Sequence, residues 1–308
     1  MSFELRPLTD EHVSPFRQAI SATFGYDADP EDEEGAARFA AVFDKERMYP
    51  AFDGDEIVGT GGDFALDMAV PGGARVPTSG LTIITVRPTH TRQGVLSAMM
   101  RRHFGLAVER GEPLGGLWAS EVPIYGRFGY GAATAHHEVK LDARFAGRGG
   151  GEDGVSVRLV DRKEAEQLLP NLFDLVSVSR SGMYARSEPW WTHRIFADPE
   201  TYREGASANR YAIAEREGDP VGYAIYRQKA SWDTLADGEI RIRELIPVTD
   251  AGYRALWHYL VSIDLFPIVK YWNNPVDDPL PFLLRDGRAA ERKNSDALWA
   301  RLIDVPRA

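Results

Sequence analysis

Apolar and polar positions alternate over residues 2–8, which predicts a strand. From Glu11 to Phe24 the spacing becomes helical, with Asp10 as candidate N-cap. An acidic run from Asp27 to Glu34 follows, and Ala36 to Phe43 continues as an amphipathic helix carrying Phe39 and Phe43. The apolar runs Met48 to Phe52 and Ile57 to Thr60 flank Asp53-Gly54-Asp55, a hairpin signal. Gly61 to Val70 prolongs the second of these strands to a turn at Gly72-Gly73. Leu81 to Val86 (LTIITV) is β-branched and almost wholly apolar, the pattern of a buried central strand. Pro88 to Gly94 breaks it. Val95 to Arg110 returns to helical spacing, with Leu96, Met99, Met100, Phe104 and Val108 on one stripe. Gly111-Glu112-Pro113 ends that helix, and Leu117 to Ala119 and Glu138 to Leu141 read as strands.

Gly147 to Gly154 (GRGGGEDG) is the best linker in the chain, and the pattern restarts after it. Val155 to Val160 is a strand and Glu164 to Val178 a helix; Tyr211 to Glu215 and Val221 to Tyr226 form a hairpin. Ile240 to Leu245 is a further strand and Tyr253 to Asp264 a further helix. The same element order therefore occurs twice, a repeat of architecture rather than of residues. A length of 308 residues suits two domains. The expected division is 1–146, a linker at 147–154, and 155–293. Ala297 to Val305 reads as a strand in need of a sheet, so 294–308 is expected to open a further domain that lies mostly beyond this chain.

Composition narrows the function. The chain has no cysteine, which excludes disulfides, thiolate zinc sites and a cysteinyl acyl-enzyme. A net charge of −10 disfavours binding to a phosphate backbone and favours a cationic partner, although solubility alone would account for it. No apolar run reaches the ~18–20 residues that span a bilayer. The start, Met1 to Arg6, lacks a leader pattern, and the cytoplasm is the expected compartment. No metal is expected. His136 and His137 are adjacent, so on a strand they face opposite ways, and His193 and His258 are isolated.

The chemistry concentrates between Val86 and Ser97. A central strand runs into a glycine-containing loop that opens a helix, with Arg87, His90 and Arg92 close by. Free N–H groups at a helix start hold an anion such as a pyrophosphate. An ordinary strand–turn–helix fits those residues equally well. The segment Val86-Arg87-Pro88-Thr89-His90-Thr91-Arg92-Gln93-Gly94-Val95-Leu96 resembles the acetyl-CoA motif of the GCN5-related N-acetyltransferase (GNAT) superfamily, Arg/Gln-x-x-Gly-x-Gly/Ala, departing from it at Thr91 and Leu96. Four further pieces make the chain more similar to one subfamily, the enhanced intracellular survival (Eis) acetyltransferases. They are Ala119-Ser120-Glu121, the block from Ile124 through Tyr125-Gly126-Arg127-Phe128-Gly129-Tyr130 to Gly131, and the late segments Asp278 to Pro281 and Leu298 to Pro306.

The resemblance implies an α/β (α+β) fold of two tandem GNAT-like domains, each a mixed, mostly antiparallel sheet with flanking helices. It implies acetyl-CoA as co-substrate, no metal, and amines of polycationic molecules such as aminoglycosides as acceptors, with a hexamer as the homo-oligomer. Tyr125 would be the general acid and Tyr130 a packing residue. Ile84, Thr85 and Val86 would lie along the acyl-pantetheine, Arg92, Gln93, Gly94, Val95 and Leu96 would cradle the pyrophosphate, and Ser120 would sit beside the acetyl group. Phe24, Tyr26, Asp27, Phe39 and Trp118 would form the amine pocket. A solvated acidic helix start is the plainer reading of Glu31 to Glu34, and packing between domains the plainer reading of Trp190-Trp191. The family's general base is its C-terminal carboxylate, a role not transferred to Ala308. The second repeat places Asp250 where a pyrophosphate would sit, so it is not expected to bind CoA. Two alternatives remain: a protein-lysine or small-amine acetyltransferase, and a CoA-binding module without turnover.

Overall fold

A computed structural model describes residues 3–26, 29, 31–146, 154–232 and 235–308. The chain divides into two compact units, each built on a seven-stranded sheet.

The first unit gathers residues 1–133, 181–195 and 298–308. Its strands are β1 (Glu4–Leu5), β2 (Ala51–Asp53), β3 (Glu56–Ala69), β4 (Arg75–Val86), β5 (Leu114–Trp118), β6 (Gly131–Ala132) and, from the end of the chain, β14 (Leu298–Leu302). The order is β1-β2-β3-β4-β5-β14-β6. Every pairing is antiparallel except β4 with β5. Helices α1 (Val13–Phe24), α2 (Glu33–Val42), α3 (Val95–Glu109), the short α4 (Val122–Tyr125) and the single turn α7 (Glu188–Trp190) belong to this unit.

Period-2 alternation buries both faces of this sheet. On β3, Ile57 packs with Phe16 and Ile20 of α1, whereas its neighbour Val58 packs with Val95 and Met99 of α3. The β3–β4 hairpin turns through Gly72 and Gly73, both at positive φ (97° and 83°), as a tight reversal requires. The helix limits differ slightly from expectation. Asp10 lies in a 3-10 turn that precedes α1. Helix α2 starts earlier than predicted because the Asp32 side chain accepts from Gly35 N–H and caps it.

The second unit gathers residues 134–180 and 196–297. Its strands are β7 (Ala135–Asp142), β8 (Val155–Val160), β9 (Arg210–Arg216), β10 (Asp219–Lys229), β11 (Glu239–Pro247), β12 (Ile268–Pro275) and β13 (Ala290–Asp296). Read from β8, the order is β8-β9-β10-β11-β12-β7-β13, and among the described residues the only parallel pair is β11 with β12. Helices α5 (Ala143–Ala146), α6 (Arg162–Ser177), α8 (Asp250–Val261) and α9 (Leu280–Leu283) accompany it. Leu256 and Leu260 of α8 pack on Ala212, Ala224, Ile240 and Val269.

The two sheets therefore share one plan, and each takes its sixth strand from a distant part of the sequence. Strand β7, expected in the first domain within 1–146, pairs with β12 and β13 in the second sheet. Strand β14, expected to open a further domain at 294–308, pairs with β5 and β6 in the first sheet. The expected need of Ala297 to Val305 for a sheet was sound; the available edge was β5. Residues 147–153 of the expected linker lie outside the described residues.

Candidate active site

Strands β4 and β5 pair only where Thr78–Gly80 face Leu114–Gly116. Beyond Gly80 they part. From Leu81 to Val86 the β5-facing edge of β4 has no strand partner among the described residues. Unpaired N–H and C=O groups on such an edge are a template for an extended ligand. The strand is also distorted there. Ile83 has φ +48°, in a register break where Thr60 faces Thr85 and Gly62 faces Thr82. A β-branched residue at positive φ is a strained outlier, at a cost of roughly 1–3 kcal/mol. The Thr60 hydroxyl steadies it by donating to the Ile83 carbonyl (2.6 Å) and lies 2.7 Å from the Thr85 hydroxyl. The Thr85 side chain is buried against Thr60, and its backbone is in register with Thr60 of β3. Ile84 and Val86 are half-buried beside Leu96 of α3.

The loop from Arg87 to Gly94 is held by its own polar groups. His90 is buried, with Nε2 3.2 Å from Asp53 Oδ2 and Nδ1 2.8 Å from the Thr89 hydroxyl. The Thr91 hydroxyl donates to the Pro88 carbonyl (3.0 Å), and the Gln93 carboxamide donates to the Thr89 carbonyl (3.0 Å). Gln93, expected among the residues that cradle the pyrophosphate, thus has its side chain bonded within the loop. Arg92 (φ +61°) and Gly94 (φ +89°) adopt left-handed conformations that turn the chain into α3. Gly94 is the N-cap, supplies no side-chain acceptor, and no acidic residue occupies the first turn. The helix start therefore keeps its positive end and its free N–H groups. Arg87 is paired with Glu56. Arg92 is exposed and makes no ion pair among the described residues.

Tyr125 closes α4 at the mouth of this gap. It is buried in one cluster with Leu81 of β4, Leu117 of β5 and Met100 of α3, flanked by Ile84 and Leu96. Burial, and then the nearby charge of Glu121, raise its phenol above the ordinary value of 10.0. Its hydroxyl has no hydrogen-bond partner among the described residues. Tyr130 is different. Its hydroxyl lies 3.0 Å from His103 Nε2, and burial drives its pKa far up. It belongs to a buried polar chain: His103 Nδ1 lies 3.3 Å from Tyr49 OH and 3.7 Å from Asp63 Oδ2. Asp63 in turn binds Arg47 (2.6 Å), which also holds Glu112 (2.5 Å).

The expected amine-pocket residues are only partly brought together. Phe24 and Tyr26 are 50% and 56% exposed at the end of α1, and Trp118 is 47% exposed at the end of β5. Phe39 is half-buried against the core of the first unit, stacked on Phe43 with ring centroids 4.2 Å apart. Ser120 is exposed just beyond Trp118. Asp27 lies outside the described residues. The acidic run is largely a helix start: Asp32 caps α2 with Arg17 and Arg38 within 4.0 Å, and Glu34 pairs with Arg38 at 3.2 Å. Trp190 packs edge-on against Phe64 of the first unit.

The sequence reading missed Trp299, which packs in the Tyr125 cluster, and Arg301, whose guanidinium donates to the Phe128 carbonyl. The apolar run Leu298 to Val305 was the available signal for both. It also missed the Arg47–Asp63–His103 chain, whose members are scattered in sequence.

In the second unit β11 and β12 likewise pair in parallel, over Glu239–Ile242 and Ile268–Tyr271. Only Val248 and Thr249 separate β11 from α8. The Thr249 side chain caps the helix at Gly252 N–H (3.1 Å), and Asp250 occupies its first turn. A Cβ on Gly252 would stand 2.2 Å from the Val221 carbonyl oxygen, so the helix start lies directly on β10. Tyr253 is buried, and its hydroxyl donates to Asp278 (2.6 Å).

Comparison with known proteins agrees with this architecture. A family profile described as "Acetyltransferase (GNAT) domain" matches residues 4–133, and another of the same description matches 182–302. An uncharacterised N-acetyltransferase of Streptomyces griseus is 36% identical over 319 residues, covering 100% of this chain and 76% of that protein. N-acetyltransferase Eis of Mycobacterium tuberculosis is 36% identical over 261 residues, covering 83% of this chain and 62% of the relative. The crystal structure of Eis1 from Mycobacterium abscessus superposes with TM-score 0.80 at 30% identity, over 99% of this chain and 74% of that one. With both halves matched and identity maintained along its whole length, the chain belongs to the Eis-like N-acetyltransferases of the GNAT superfamily.

Proposed function

We propose that the first unit binds acetyl-CoA along β4 and α3 and passes the acetyl group directly to an amine of a polycationic acceptor, an aminoglycoside being the representative case. One observation carries this reading. The open edge of β4, the start of α3 and Tyr125 meet in a single cluster, with Leu81, Ile84, Leu96, Leu117 and Tyr125 in common. The open strand edge suits the amides of an extended pantetheine arm. The uncapped helix start, with Arg92 beside it, suits a pyrophosphate.

In the step itself the free amine attacks the thioester carbonyl, a C–N bond forms and the C–S bond breaks. The amine gives up a proton and the departing sulfur gains one. Tyr125 donates a hydrogen bond to that sulfur. Its raised pKa keeps it a donor throughout the neutral range, whereas a thiol titrates near ~8.5. Full proton transfer from phenol to thiolate is therefore uphill, and the hydrogen bond contributes by stabilising charge as it develops. Positioning supplies the larger share of the rate.

The net charge of −10 supports a cationic acceptor. The local support is smaller, because Asp32 and Glu34 are already matched by arginines. The family likeness supports a cytoplasmic homo-hexamer, which sedimentation of the purified chain tests; a monomer at assay concentration contradicts it. The substrate test is thiol release from acetyl-CoA over a panel of aminoglycosides, spermine and a lysine-containing peptide. Turnover with the aminoglycosides is expected. Release with the peptide alone would replace that acceptor class, and release with no amine would leave a CoA-binding module.

A further inference from the structure

The turn that carries Tyr125 is built from residues 122–130, but it is pinned from the other end of the chain. After α4 the backbone makes one 3-10 turn, Gly126–Phe128, and leaves it through Gly129 at φ +80°. Its internal bonds are few. Gly129 N–H donates to the Gly126 carbonyl (3.1 Å), and Tyr130 N–H donates to the Tyr125 carbonyl (3.3 Å). The Phe128 carbonyl, at the negative end of the turn, is taken by Arg301 Nη1.

Arg301 stands on β14, opposite Gly115 of β5. Its guanidinium lies 3.8 Å from the centroid of Phe104 on α3, and a Cβ placed on Gly129 would be 3.5 Å from Arg301 Cζ. It makes no ion pair with a carboxylate among the described residues. A half-buried cation commonly has an acidic partner; here its partners are a ring face and one carbonyl of the Tyr125 turn. On the same strand Trp299 packs in the cluster that buries Tyr125.

Taking Tyr125 as the group that faces the leaving sulfur, we propose that Arg301 is a positioning residue for the transfer step, fixing the Phe128–Gly129 turn and through it the phenol of Tyr125. Strand β14 is then part of the catalytic apparatus and not merely the filling of a sheet. The chemistry favours arginine over lysine. A planar guanidinium stacks on Phe104 while one of its N–H groups stays directed at the Phe128 carbonyl, whereas an ammonium fixes no such plane.

The test is a double-mutant cycle on the full chain, with neomycin as acceptor. Arg301→Ala is expected to lower kcat by about 10–100-fold, with KM for acetyl-CoA within about two-fold of the parent. In a Tyr125→Phe background the same change should cost less than about three-fold, since the residue it positions is gone. Arg301→Lys should fall between Arg301→Ala and the parent. Amide exchange gives a second reading that needs no acceptor: Gly129 and Tyr130 should exchange faster in Arg301→Ala and at the parental rate in Tyr125→Phe. Equal loss of kcat in both backgrounds, no loss in either, or unchanged exchange at those amides overturns the proposal. Parental turnover by Tyr125→Phe alone removes the role given to Tyr125, an outcome the exchange data distinguish from a failure of Arg301 to hold the turn.

Discussion

The junction between Val86 and Val95 and the junction between Pro247 and Asp250 join a central strand to a helix in sheets of the same plan. In the first, Arg87 to Gly94 form a loop, the helix begins on a glycine without a side-chain cap, and its first turn carries no acid. In the second, Val248 and Thr249 suffice, Thr249 caps the helix, and Asp250 stands in its first turn. The same helix dipole is thus left open in one unit and neutralised in the other. A satisfied helix start is the more stable arrangement, by about 1 kcal/mol for the cap alone. An unsatisfied one is what a phosphate ligand requires. The strained Ile83 fits the same contrast, since no non-glycine residue of β11 has positive φ.

The comparison breaks most severely at Tyr125. Tyr125→Phe should lower kcat by about 10²–10⁴-fold with acetyl-CoA affinity near that of the parent, checked by thiol release and calorimetry. The proposed role needs the phenol protonated, and its pKa lies above 10.0. The midpoint of any loss of activity from this group therefore lies above that pH. A fall near neutrality that disappears in Tyr125→Phe would contradict the assignment.

A smaller effect comes from making the first junction resemble the second. Ser97→Asp puts an acid into the first turn of α3. It should leave the melting temperature unchanged or slightly raised, because an acid suits a helix start, while weakening acetyl-CoA by about 10-fold. Weaker binding that accompanies unfolding would mean the substitution had acted on the fold. The converse change is smaller still. Thr249→Ala should cost about 1 kcal/mol in urea unfolding and create no second CoA site, because Asp250 and the contact of Gly252 with β10 remain.

How much of this was legible in sequence follows from how local each feature is. The β4–loop–α3 unit could be read because a β-branched run, a Pro-to-Gly break and a helical stripe lie within a few dozen consecutive residues. The bulge could not, since Ile83-Ile84 looks like regular strand and its positive φ arises only from pairing with β3. The bond from the Gln93 side chain to the Thr89 carbonyl could not be read either, since it depends on the loop's closed shape. The stacking of Phe39 on Phe43 could not be read, because the sequence shows the apolar helix face and not what that face meets. The exchange of β7 and β14 was the largest omission. Hydrophobic alternation shows that a strand needs a neighbour, and nothing local specifies an edge nearly two hundred residues away. Arg301 was hidden with it.

The claim that one unit alone binds CoA is tested most directly by titrating the full chain with acetyl-CoA in a calorimeter, for the parent and for Ser97→Asp. One acetyl-CoA per chain is expected, with affinity lowered about 10-fold by the substitution at unchanged stoichiometry. Two equivalents per chain, or a single equivalent indifferent to Ser97→Asp, would contradict it.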